Sequence, residues 1–106
     1  LSGAGAWLAE KIAASDIAKS MKGLFNKVKN RSTRQRFVVS TVRRGEGLFE
    51  TAVFAATLLY IPKSLSNPEM KVETHSQDEA WDMHYRITDR LTTELPARLF
   101  QEFSQS

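Results

Sequence analysis

The sequence predicts a small α+β domain: an N-terminal amphipathic helical arm, a three-stranded antiparallel sheet, one capped helix packed on that sheet, and a short C-terminal helix. Three observations lead there. Gln35 to Tyr60 reads as two runs rich in β-branched and aromatic residues around Gly45-Glu46-Gly47, which suits two antiparallel strands joined by a tight, glycine-dependent turn. Met70 to His75 alternates as a short third strand does. Ser76-Gln77-Asp78-Glu79 then opens a run with helical periodicity, and a serine followed three residues later by glutamate is a capping box. A hairpin alone is marginal in water, so the helical segments on either side are needed to cover it. The 106 residues suffice for one core that buries roughly two-thirds of the unfolded chain's surface. The expected division is a basic amphipathic arm and connector over 1–34, followed by a single-core α+β domain over 35–106.

The arm contains no proline. Trp7, Ala14, Ile17, Met21, Leu24, Phe25 and Val28 fall within one stripe of about 100° at helical spacing, and Lys11, Lys19, Lys22 and Lys29 lie on the other side. Leu8 and Ile12 leave the stripe and Ser15-Asp16 suits an N-cap, so one helix, or two with a break near Ser15, both satisfy the pattern. Gly23 costs about 1 kcal/mol relative to alanine inside a helix.

In the first expected strand Phe37, Val39 and Thr41 share one face, while Val38, Ser40 and Val42 share the other. In the second, Phe49, Thr51, Val53 and Ala55 oppose Leu48, Glu50, Ala52 and Phe54. Apolar residues on both faces predict strands between two layers, or at a protein interface. Thr57 to Pro62 continues apolar, and Lys63 to Glu69 has the Ser, Asn and Pro density of a surface loop. The helix after Ser76 presents Ala80, Met83, His84, Ile87, Leu91 and Leu95 along one stripe, and Pro96 can start a last short helix through Leu99, Phe100 and Phe103.

Composition excludes several chemistries. With no cysteine there is neither a disulfide framework nor a thiolate nucleophile. No apolar run approaches the ~20 residues that span a bilayer, so the chain is not expected to be an integral membrane protein. The net charge of +3 is unevenly spread. Leu1 to Gly45 holds ten basic and two acidic residues, and the remainder holds five basic and ten acidic. Such asymmetry suits either an anionic partner for the basic part or self-association of unlike ends.

Three pieces of the middle of the chain resemble a pattern found in small uncharacterised proteins of bacteriophages and prophages. They are Ser40-Thr41-Val42, Phe49-Glu50-Thr51-Ala52-Val53-Phe54, and Glu79-Ala80 followed by His84. In that set a strand ending in S-T-V leads to F-E-T-x-V-F, and a later helix opens with E-A-x-x-x-H. The loop between the first two pieces is shorter here, and the basic segment before Phe37 lies outside the pattern. The resemblance implies a phage-like origin and a core of β-hairpin, strand and helix, and it carries no activity; the expected setting is a virion or the host cytoplasm.

Candidate sites follow from residue types. His84 and Glu50 would make part of an acid/base site if their elements packed together, whereas a structural histidine bonded to a strand residue is the plainer expectation. No H-x-x-x-H or H-E-x-x-H spacing is present, so no metal site, cofactor or small-molecule substrate is inferred. The expected role is therefore non-enzymatic: contact with a protein partner or another copy, as an assembled or accessory virion component, through Trp7, Ile17, Met21, Leu24 and Phe25. Two other readings stand beside it. Lys27, Lys29, Arg31, Arg34 and Arg36 form a basic segment over 27–36 suited to nucleic-acid phosphates, and the N-terminal amphipathic helix suits a membrane surface.

Overall fold

The computed structural model describes residues 24–104. Strands β1 (Leu24–Lys29), β2 (Arg36–Gly45), β3 (Leu48–Ala56) and β4 (Met70–Thr74) form one antiparallel sheet in sequence order. Helices α1 (Gln77–Thr93) and α2 (Pro96–Ser104) pack on one face of it.

The sheet has four strands, not the expected three, and this corrects the fold reading. Leu24–Lys29, assigned above to the end of the helical arm, is an edge strand paired with β2 from Leu24 opposite Thr41 to Lys29 opposite Arg36. The six residues L-F-N-K-V-K satisfy two periods at once. Leu24, Phe25 and Val28 share a helical stripe, but Leu24, Asn26 and Val28 also alternate. Pairing with β2 decides between them, because as a strand the segment sends Leu24 and Val28, each 4% exposed, into the core. The remainder of the arm, including Trp7, Ile17 and Met21, lies outside the described residues.

Core packing follows strand alternation. Val28, Phe37, Val39, Val53 and Met70 meet Ile87 and Leu91 of α1 and Leu99 of α2. The Phe37 ring meets Phe100 edge-on at 5.6 Å, and Phe49 meets Trp81 in the same way at 6.0 Å. The α1 cap forms as the serine predicts: Ser76 Oγ accepts from the Glu79 amide at 3.1 Å. Glu79 reaches one residue further back than a standard box, accepting from the His75 amide at 3.0 Å. The β2–β3 turn places Gly47 at φ +63, where a side chain is strained, and the register shifts between Arg43 and Gly45.

The turn between β1 and β2 is a structural joint. Asn30 is fully buried. Its Nδ2 donates to the carbonyls of Leu91 and Glu94 at 2.7 and 2.6 Å, and its Oδ1 accepts from the amides of Ser32 and Thr33. The Arg31 amide donates to the Thr92 carbonyl. One asparagine thus shapes its own turn and satisfies carbonyls at the C-terminal end of α1, which would otherwise lack partners. Arg90 then joins the helices, donating to the carboxylates of both Glu94 and Glu102. These hydrogen bonds hold both carboxyl groups below the usual carboxylate range and raise the guanidinium further above its own.

Candidate functional site

The two faces of the sheet differ in what they can do. On the helix-covered face, Thr51, Thr41, His84 and Asn26 form one buried hydrogen-bonded chain. The two threonine hydroxyls are 2.6 Å apart, Thr41 Oγ1 lies 2.8 Å from His84 Nδ1, and His84 Nε2 lies 2.7 Å from Asn26 Oδ1. An amide oxygen only accepts, so Nε2 carries the ring proton and Nδ1 accepts from Thr41, whose oxygen in turn accepts from Thr51. Every polar atom of the ring is used by the neutral form. Burial lowers the His84 pKa to about 4, as it does for any imidazole deprived of water.

Glu50 takes no part in this chain. It lies on the opposite face of β3, where Arg44 and Lys71 approach its carboxylate at 3.7 and 3.8 Å. The sheet separates His84 from Glu50, so the acid/base pair considered above does not form. His84 instead holds α1 to β1 and β2. Thr41, Thr51 and His84 are all fully buried at this node, and Ala80, one turn before His84 on α1, is buried as well. Among the described residues no group of three or more His, Cys, Asp or Glu is placed to hold a metal ion.

The second face of the sheet carries Phe25, Lys27 and Lys29 from β1, then Arg36, Val38, Ser40 and Val42 from β2. Leu48, Glu50, Ala52 and Phe54 of β3 continue it, by alternation from the core-facing residues. Both described helices lie on the other side. Val38 and Ala52 are buried at the centre, while Phe25, Val42, Leu48 and Phe54 remain partly exposed around them. Leu24 and Phe25, expected together on one helical stripe, therefore point to opposite faces of β1.

The basic segment is brought together at one end of this face. Lys29 sits directly opposite Arg36, with Lys27 two pairs along on the same face, opposite Val38, and like charges opposed across strands repel. Tyr60 reaches back from the β3–β4 loop, with its ring centroid 5.8 Å from Lys27 Nζ and 5.6 Å from Arg36 Cζ. Arg34, at φ 66, joins Arg36, Lys63 and Leu58 around a shallow cleft of about 400 Å³. Arg31 is exposed on the turn itself. Among the described residues none of Lys27, Lys29, Arg31, Arg34, Arg36 and Lys63 forms an ion pair, and Arg36 Nε is buried with no hydrogen-bond partner.

Sequence reasoning missed Tyr60, Asn26 and the loop tip. Tyr60 sits in what looked like the continuation of a strand; its cue was only the apolar run ending at Pro62. No protein-family model, curated protein or solved structure matches the chain. Among the described residues no helix is long and apolar enough to cross a membrane.

Proposed function

We propose that the protein works by protein–protein contact, without catalysis, through the second face of its sheet, as an assembled or accessory component of a phage particle. One observation carries this reading: both described helices pack on a single face, while the other presents Phe25, Val42, Leu48 and Phe54 around a buried centre at Val38 and Ala52. Partly exposed apolar side chains with Lys27, Arg36 and Glu50 at the margins offer the kind of surface that interfaces use, while Val38 and Ala52 beneath them are already buried in the single chain. The S-T-V, F-E-T-x-V-F and E-A-x-x-x-H resemblance supports the phage setting. The partner favoured is another copy of the chain, since a sheet face of this kind can meet itself across a two-fold axis.

Sedimentation over a concentration series tests the proposal. The intact protein should associate, and Phe54→Asp, which places a charge on the second face, should sediment as a monomer at every concentration while keeping its helix content. A monomeric intact protein would overturn self-association.

A further inference from the structure

The loop between β3 and β4 carries a feature that self-association through the sheet face leaves unused. After Ala56 the chain turns back, bridging Ala56 to Pro62, and leaves Leu58, Leu59 and Ile61 at 75%, 77% and 57% exposure. Tyr60, between them, points inward to Lys27 and Arg36. The tip satisfies most of its own backbone amides. The Thr57 amide donates to the Ile61 carbonyl, the Tyr60 amide to the Thr57 carbonyl, and the amides of Leu59 and Ile61 to Thr57 Oγ1.

We propose that this end of the molecule docks on an anionic lipid bilayer, with Leu58 and Leu59 entering the interface and Lys27, Arg34, Arg36 and Lys63 meeting headgroup phosphates. Three physical features favour lipid. A projecting aliphatic tip is convex, and a fluid interface accommodates a convex shape without a matching pocket. Backbone amides that enter an apolar layer are best already hydrogen-bonded, and of the five from Thr57 to Ile61 all but that of Leu58 are. The cations beside the tip have no carboxylate partners among the described residues, and Arg34, Arg36 and Lys63 line one cleft with Leu58, so charge and aliphatic surface face the same way. Membrane binding of this kind needs both contributions, because neither a few leucines nor a few cations alone hold a protein at a surface. Nucleic acid would use the cations but would have no use for exposed leucines, since bases stack on aromatic rings.

Co-sedimentation with vesicles tests this. The intact chain should bind vesicles of phosphatidylcholine mixed with phosphatidylserine, bind phosphatidylcholine alone far more weakly, and lose affinity as salt rises. Leu58→Ser combined with Leu59→Ser should weaken binding by about tenfold or more, and Lys27→Glu with Arg34→Glu and Lys63→Glu should abolish it. All these residues are exposed, so unchanged denaturation midpoints would show the variants folded. Trp7→Ser should bind as the parent does, which separates the loop from the N-terminal segment. The leucine variant should also keep any self-association, so this inference and the sheet-face proposal fail independently. Absence of binding to the mixed vesicles, full binding by the leucine variant, loss of binding in Trp7→Ser, or a duplex DNA complex without vesicle binding would each overturn the proposal.

Discussion

The two faces of the β-sheet are built from the same strands and have different composition rules. The helix-covered face has β-branched and aromatic side chains closed over by α1 and α2; of its polar groups Thr41, Thr51, Asn26 and His84 bond to one another, and Thr74 Oγ1 is buried without a hydrogen-bond partner among the described residues. The second face mixes Phe25, Val38 and Phe54 with Lys27, Arg36, Glu50 and Lys71, and among the described residues its charges either pair loosely, as at Glu50, or lack an ion pair, as at Arg36, which lies over the Tyr60 ring. A buried polar group must be satisfied inside the fold. A group at an interaction surface can leave that to a partner. The contrast separates what the sheet closes under its helices from the face proposed here for contact.

The largest effect should come from removing a core side chain and its counterpart across the sheet. Phe37→Ala takes away a ring packed on Phe100 in the covered core and should destabilise by about 3–5 kcal/mol. Phe54→Ala, on the second face and only partly buried, should cost about 1 kcal/mol. Urea midpoints of the two variants measure the difference, and similar losses would mean that both faces belong to one sealed core.

The next effect sharpens the covered face through pH. His84 titrates near 6.5 when exposed, and burial lowers it to about 4. Between those values the unfolded chain binds a proton that the folded chain excludes. Stability from this residue is therefore complete above about pH 6.5, falls as the pH drops toward 4, and is lost by at most about 3–4 kcal/mol in all. Comparing urea midpoints of the parent and His84→Gln across that range isolates the residue. The parent should lose stability more steeply, and parallel curves would show that the ring is not sealed from water.

A smaller effect sits where the covered face begins. Ser76→Ala removes the acceptor for the Glu79 amide and should cost on the order of 1 kcal/mol, while Ser66→Ala, exposed in the β3–β4 loop, should be nearly silent. Equal midpoints would remove the cap from the account of α1.

Local chemistry made part of this architecture legible. Gly47 at φ +63, the Ser76 cap and the Ala80, His84, Ile87, Leu91 stripe each follow from a residue and its near neighbours. β1 was not legible, because Leu24, Phe25 and Val28 fit a helix as well as a strand and only pairing with residues 36–41 separates the two. Asn30 read as a polar connector for a similar reason. Its partners, Leu91 and Glu94, are 61 and 64 positions away, and no local pattern announces a bond of that span. The proposed interaction surface was half legible: alternation in β2 and β3 showed apolar residues on both faces, but the convergence of Lys27, Arg36 and Tyr60 depends on β1 and on a loop that doubles back.

Adjacent residues of β2 offer the most direct test of the division between faces. Val39 points into the core and Ser40 toward the second face, and the chain has no cysteine, so Val39→Cys and Ser40→Cys each supply a single thiol. Reaction with a small thiol reagent should be slow for Val39→Cys at every protein concentration, because only unfolding exposes it. For Ser40→Cys it should be fast in dilute solution and slow progressively as the protein is concentrated and copies cover the second face. A Ser40→Cys thiol whose rate does not change with concentration would contradict the account.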